Sequence, residues 1–284
     1  MKPSENVDHK VVRDFGKEWS TYDQSGVSQE ELSTILNEYF AVFPWEQLPK
    51  NAKGFDLGCG SGRWAKMVAP RVGELHCIDP SEEALDVARR NLEALPNCVF
   101  HAKTVDDIPL DDQSMDFGYS LGVLDHVPDT AAGIRKCVEK LKPGAPMLVY
   151  IYYALEFRPW WFRAIWKITN VVRRIVAGLP HPIKLPITRA IAATIYFPLA
   201  RAALLLERLG FNVNNIPLSA YRNKSFYTMA TDALDRFGSR IEHRYTKDQL
   251  HKMMSDAGLV NIRFHNGTPY WCAVGFRASQ GPSA

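Results

Sequence analysis

Several things are scarce in this 284-residue chain, and each scarcity removes a class of function. The five cysteines, at 59, 77, 98, 137 and 272, are scattered and make no C-x-x-C pair. An odd, dispersed set argues against a disulfide framework and for reduced thiols in a cytosolic protein. The eight histidines show no ligand spacing, so no metal is expected. Residues 1–14 are polar and lack the apolar stretch of a secretory leader. Long apolar runs are interrupted too. The strongest, 187–209, contains Arg189 and Arg201, whereas a bilayer span needs roughly twenty apolar residues with few charges. No recognised nucleic-acid motif accompanies the basic residues, so no nucleic-acid partner is expected.

What remains is a chain with 46% hydrophobic residues, enough for a real core and for one large domain or a domain with an insert. Its charge is unevenly placed. Residues 155–224 hold eleven Lys/Arg against two acids, a net +9, which leaves −6 for the remainder of a chain whose total is +3. A basic segment in an acidic body points to an anionic acceptor or a membrane face.

The densest signal is Phe55-Asp56-Leu57-Gly58-Cys59-Gly60-Ser61-Gly62-Arg63-Trp64. It reads as a buried strand, a glycine turn and a helix start, where missing Cβ atoms let the chain turn sharply and a ligand approach closely. The third glycine comes one residue earlier than in the dinucleotide pattern. A carboxylate two residues before the first glycine suits a ligand with an ammonium and a sulfonium, and would repel a pyrophosphate. A second strand ends at Asp79, 23 residues after Asp56, the spacing of a ribose-binding acid one strand-helix-strand unit away. A simple helix cap is the lesser reading of Asp79.

Asp56-x-Gly58-x-Gly60-x-Gly62 resembles motif I of the class I S-adenosylmethionine-dependent methyltransferases. The order of the landmarks that follow is similar to that family. Cys98–His101 resembles strand three, Ser114–Ser120 strand four, and Pro146–Tyr153 strand five. Val260–His265 and Tyr270–Phe276 resemble the closing antiparallel hairpin. The resemblance implies an α/β Rossmann-like seven-stranded sheet with a mainly helical insert. Its expected divisions are an N-terminal arm and helix at 1–50, a cofactor core at 51–154, the insert at 155–240, and a C-terminal completion at 241–284.

The resemblance also implies S-adenosyl-L-methionine as cofactor and a set of contacts for it. Asp56, Gly58, Cys59, Gly60 and Gly62 would form the turn, and Asp79 and Pro80 the ribose site. Around the adenine, Thr104 stands where the family has an acid, so the hydroxyl of Thr104, the backbone of Val105 or the carboxylate of Asp106 would serve. Ser120 and Leu121 would close the site from strand four. The run Phe15-Gly16-x-x-Trp19-x-x-Tyr22 is similar to arms that fold over the cofactor in sugar- and small-molecule-modifying members. Trp19 and Tyr22, three apart, fall on one helical face; they could also merely anchor the arm.

In such an enzyme the protein mainly aligns the partners and excludes water, and a hydroxyl acceptor also needs a base. His126 and His243 are the candidates, and Tyr152, Tyr153 and Glu156 would border the acceptor pocket, with sheet-edge packing as their other reading. In the insert, Arg163, Lys167, Asn170 and Arg174 recur at helical spacing over 160–176 beside three tryptophans, and prolines 180, 182 and 186 break the chain before a second apolar helix. This is expected to be a lid over the acceptor, with a peripheral membrane contact or a homodimer as further uses of the same segment. The reading is a cytoplasmic methyltransferase for a small-molecule acceptor, attacked through oxygen or nitrogen. The alternatives are a lipid-like or isoprenoid acceptor at a membrane surface, and a cofactor-binding protein without turnover.

Overall fold

The computed structural model describes residues 6–279; the frayed tail expected after Ala278 falls, beyond Ser279, outside the described residues. In chain order the elements are α1 (His9–Thr21), α2 (Gln29–Tyr39), β1 (Lys53–Leu57), α3 (Ala65–Val68), β2 (Glu74–Asp79), α4 (Glu82–Asn91), β3 (Cys98–Ala102), β4 (Phe117–Leu121), α5 (Thr130–Lys140) and β5 (Pro146–Tyr150). They continue with α6 (Trp160–Ala177), α7 (His181–Ile191), α8 (Phe197–Arg208), α9 (Phe226–Gly238), α10 (Lys247–Asp256), β6 (Leu259–Phe264) and β7 (Cys272–Arg277). The chain forms two compact units. One comprises Met1–Ser20, Ser33–Ala154 and Ile241–Ala284; the other comprises Thr21–Leu32 and Leu155–Arg240. Thr21–Leu32 thus groups with the insert and not with the rest of 1–50.

The first unit is built on a seven-stranded sheet of order β3-β2-β1-β4-β5-β7-β6, parallel except for β7, which runs antiparallel to both its neighbours. β1 and β4 are buried along nearly their whole length, as strands covered on both faces are. Their register interlocks them. Gly54 pairs with Phe117 and Phe55 with Gly118, and each phenylalanine ring occupies the space where a Cβ of the neighbouring glycine would stand. The strand order reverses between β1 and β4, and ligands of open α/β sheets bind at the carboxyl ends of the strands at such a reversal. The helix after the glycine turn is short: α3 ends at Val68 and a single 3₁₀ turn, Ala69–Arg71, holds Pro70. α10 is capped by Thr246, whose hydroxyl accepts from Gln249 N while the Gln249 side chain accepts from Thr246 N.

The second unit packs α6, α7 and α8 around α9. Met229, Ala230, Ala233, Leu234 and Phe237 of α9 meet Val176, Ala192, Tyr196 and Ala200 in one apolar cluster. The prolines interrupt this unit less than their spacing predicts. Helix α7 already begins at His181, with Pro182 in its first turn, where an N–H is not needed, and Pro186 inside. The helix then continues through a π turn, Ala192–Tyr196, into α8, with Pro198 in the first turn of α8. The wider turn removes the clash that the Pro198 ring would make in a regular helix. Part of the basic charge is internal. Arg173 is buried and donates from Nη1 to Ser239 O (2.7 Å) and from Nε to Asn170 Oδ1 (2.7 Å). Buried Lys184 donates to Gly238 O (3.0 Å). Both cations therefore sit on the carbonyl end of α9, the negative end of its dipole.

Candidate active site

β1 leads directly into the glycine turn. Gly58, Gly60 and Gly62 all adopt positive φ (75°, 53° and 75°). The turn is fastened to β2, since Gly58 N and Cys59 N both donate to Ile78 O (2.7 and 3.1 Å). Asp79 closes it from below: its buried carboxylate accepts from Gly60 N (3.0 Å) and Ser81 N (2.9 Å). Burial pushes the Asp79 carboxyl up to about 6, against the opposing effect of those two N–H groups. Asp56 is almost wholly enclosed, and neither its Oδ2 nor the Tyr119 hydroxyl has a hydrogen-bond partner of good geometry. Burial pushes Asp56 up to about 8, the nearby Tyr119 hydroxyl acting in the other direction. Two buried acids beside a positive-φ glycine turn fit a ligand that brings a cation and hydroxyl donors. The residues present therefore suit the cofactor that the sequence implies.

The arm is explained by what it touches. Phe15 sets its edge on His126 (5.0 Å between ring centroids). Gly16 lies so near Ser81 that a Cβ would come within 2.3 Å of the hydroxyl oxygen. Trp19 lies over the turn, its Nε1 2.7 Å from where a Gly60 Cβ would stand, and the Arg63 guanidinium stacks on both Trp19 (4.9 Å) and Trp64 (4.5 Å). Successive residues of α1 thus pack on the loops after β4, β2 and β1. Tyr22 does not join them. Helix α1 ends at Thr21, and Tyr22 is buried in the second unit, its ring against Tyr227 (5.3 Å) and its hydroxyl accepting from Arg189 Nε (3.2 Å). The shared helical face expected for Trp19 and Tyr22 is lost because the helix stops between them.

The remaining expected contacts divide in the same way. Val105 is buried in the sheet core, Thr104 begins the short turn after β3, and Asp106 is exposed, its carboxylate accepting from Asn6 N (2.5 Å). The Asn6 side chain also bonds both Asp129 N (2.7 Å) and Asp129 O (2.8 Å), tying the arm to the start of α5. Ser120 is consumed internally, donating to Leu57 O (3.0 Å), and Leu121 is buried beside it. Pro80 is exposed between Asp79 and Ser81.

Beyond β4 and β5, three chain segments meet. His126 Nδ1 contacts Ile241 O (2.6 Å), His243 N donates to Asp125 O (2.9 Å), and Tyr245 N donates to Tyr152 O (2.9 Å). His126 and His243, more than a hundred residues apart in sequence, therefore belong to one loop cluster. The contact to a carbonyl makes Nδ1 of His126 the protonated nitrogen. The buried Nε2 of His243 has no hydrogen-bond partner. Tyr152 sets its ring edge-on to His126 (5.6 Å) under the Arg244 guanidinium (5.1 Å), which pairs with Glu242 (2.6 Å). Tyr153 points the other way, against Tyr270 (5.3 Å) and the sheet core; adjacent residues leaving a strand face opposite sides. Glu156 is exposed and lies in the second unit.

Residue reasoning missed a row of rings. Trp64, Tyr39, Tyr150, Tyr152 and His126 follow one another at centroid separations of 5.3, 4.8, 5.7 and 5.6 Å. The wall runs from the glycine turn to the two histidines. Tyr150 and Tyr152, two apart at the end of β5, were the available signal; nothing local marks Tyr39 as their neighbour.

Residues 55–144 match the profile of a family described as a methyltransferase domain. Curated relatives include a ubiquinone biosynthesis O-methyltransferase of Hahella chejuensis, 28% identical over 52% of this chain and 63% of that one. A second, of the same description, from Xanthomonas axonopodis pv. citri is 32% identical over 36% of this chain and 43% of that one. The chain thus spans less than two thirds of the length of these relatives. Among solved structures, a methyltransferase of Haloferax volcanii solved with an activator protein aligns over 95% of this chain and 99% of that one (TM-score 0.54, 15% identity). An S-adenosylmethionine-dependent methyltransferase of Thermotoga maritima aligns over 95% and 99% (TM-score 0.50, 14% identity). These two likenesses speak for the fold alone. Residues 55–144 thus carry a methyltransferase domain, and its strand order, glycine turn and paired acids agree with those of the class I S-adenosylmethionine-dependent methyltransferases.

Proposed function

We propose that this protein transfers a methyl group to an oxygen or nitrogen of a small-molecule acceptor held beyond β4 and β5. The observation that carries the reading is the convergence of the glycine turn, with Asp56 and Asp79, and the His126–His243 loop cluster along one aromatic wall. The cofactor, when bound, supplies a methyl already activated on a sulfonium. Everything else falls to the chain. Asp79, held by two backbone N–H groups, would accept from ribose hydroxyls, and Pro80 would flank it. Asp56 would balance the methionine ammonium across the turn of Gly58, Cys59, Gly60 and Gly62. Trp19 would cover that turn and exclude water. Val105 and Asp106 would meet the adenine, with Thr104 beside them and Leu121 closing the other side.

The relatives named as O-methyltransferases favour oxygen as the acceptor atom. A hydroxyl must lose a proton as it attacks. His243, with a buried Nε2 that has no partner, is the base in this proposal. His126, committed through Nδ1 to Ile241 O, orients the loop, and Tyr152 walls the acceptor pocket. Residues 155–240 are inserted in chain order between β5 and α10, Glu156 standing near their start. The cytoplasm remains the proposed location.

The test is turnover with labelled S-adenosylmethionine on a panel of catechols, phenols and amines. His243→Ala should lower kcat on a hydroxyl acceptor by about 10²–10⁴-fold and leave the affinity for S-adenosylhomocysteine unchanged. Full activity in that variant removes His243 as the base. Tight S-adenosylhomocysteine binding with no turnover on any acceptor class would favour the cofactor-binding protein.

A further inference from the structure

The second unit has an outer surface unlike that of a water-soluble helix bundle. Around α6 the residues fall into three sectors at helical spacing. Phe162, Trp166, Arg173 and Val176 face inward, Val176 entering the apolar cluster and Arg173 capping α9. Trp161, Ile165, Ile168, Val172 and Ile175 form a second stripe that is exposed throughout; Ile168 is 67% and Ile175 64% accessible. Trp160, 75% accessible, extends it at the helix start. The third sector is cationic: Arg163, Lys167 and Arg174 are all exposed. Along α7 and α8, which pack on α9 beside α6, Ile183, Ile195, Leu205 and Leu209 are exposed as well. An exposed apolar stripe running the length of a helix is rare on a soluble monomer and marks an interaction surface.

We propose that this face docks on the surface of an anionic lipid bilayer, with α6 lying in the interface. An exposed apolar stripe flanked by a row of cations is the arrangement that inserts side chains among acyl chains while pairing with anionic headgroups. Charge decides against a second copy of the chain. Residues 155–224 carry a net +9 with two acids, one of them, Glu207, already paired with Arg222 (2.7 Å). A two-fold interface would set like charges against each other. A transmembrane span is disfavoured by packing. The helix His181–Arg208 is long and apolar enough to cross a bilayer. Yet Ala192, Tyr196 and Ala200 are part of the unit's core, and Lys184 and Arg201 are bonded to Gly238 O, Arg222 O and Lys224 O. The inference does not rest on the catalytic reading, since every residue it uses lies in the second unit.

Flotation of the full chain with vesicles of phosphatidylcholine, alone or with about a quarter phosphatidylglycerol, tests it. Binding to the anionic vesicles, weakened severalfold by salt and released by alkaline carbonate, is expected. Arg163→Glu with Lys167→Glu and Arg174→Glu should lower binding at least tenfold, as should Ile168→Ser with Ile175→Ser. An unchanged helical circular-dichroism signal and unchanged thermal transitions in both variants show that the second unit still folds. Absence of vesicle binding, retention after carbonate, or a dimer in light scattering that the Ile168→Ser/Ile175→Ser variant dissociates would each overturn the proposal.

Discussion

At the residue scale, the paired acids make cofactor binding pH-dependent, and the sign follows from their direction of shift. Asp79 and Asp56 both hold a proton more tightly in the folded chain than in the unfolded one, at about 6 and about 8. Their contribution to the stability of the ligand-free protein is therefore complete below about pH 4 and is lost as pH rises through those two values. Binding runs the other way, because the ligand's ammonium beside Asp56 and its ribose hydroxyl donors beside Asp79 favour the ionised pair. Affinity for S-adenosylhomocysteine should rise between about pH 5 and about pH 8 with net proton release. Calorimetry in two buffers of different ionisation enthalpy measures that release, and Asp56→Asn should remove its upper portion. A second residue-scale prediction concerns Gly60. An alanine there meets both a left-handed φ of 53° and the Trp19 ring. Gly60→Ala should weaken S-adenosylhomocysteine at least tenfold, by about 1–2 kcal/mol of backbone strain plus the displaced indole. Adding Trp19→Ala should recover the steric share but not the backbone share, so a titration of single and double variants separates them.

At the scale of the element, the informative contrast is between α10 and the α7–α8 helix. Helix α10 is specified locally: a capping box at Thr246 and Gln249, and Gly258 at positive φ just past its end. Thr246→Ala should lower stability by about 1 kcal/mol, visible as a fall in Tm of a few degrees, with cofactor affinity unchanged. The α7–α8 helix defies its own local signals. Pro186 and Pro198 should end it, yet burial of Ala192, Tyr196 and Ala200 against α9 outweighs the lost backbone bonds, and the π turn absorbs the mismatch.

At the scale of the whole molecule, the two units rest on different kinds of core. The first is a mainly parallel sheet whose central strands are buried on both faces; the second is a helical cluster held also by cations placed on the carbonyl end of α9. Arg173→Ala removes charged hydrogen bonds to Ser239 O and Arg240 O and should cost the second unit about 2–3 kcal/mol. Differential scanning calorimetry with S-adenosylhomocysteine is the check: the ligand should raise one transition while Arg173→Ala lowers another. A single transition moved by both would show that the units unfold together.

Residue order alone determined the local geometry of the turn and caps. A positive-φ glycine turn, an acid at a strand end and an N-cap are short-range requirements, met within a few residues, so the turn from Gly58 to Gly62, Asp79 at the end of β2 and the cap at Thr246 could be read directly. The alternation of apolar runs and helical stripes likewise announced a parallel sheet with a helical insert. What only the tertiary structure decided were the meetings of residues far apart in the chain. It brought His126 and His243 into one loop cluster, laid Phe15, Gly16 and Trp19 on three different loops, and assembled the aromatic wall from Tyr39 to Tyr152. It also turned residues away: Tyr22 into the second unit, Tyr153 to the sheet core, Ser120 onto Leu57 O, and Arg173 inward onto the carbonyl end of α9. Each of these depends on which surfaces are adjacent after packing, and long-range burial competes with local preference at energies that no short window of sequence contains.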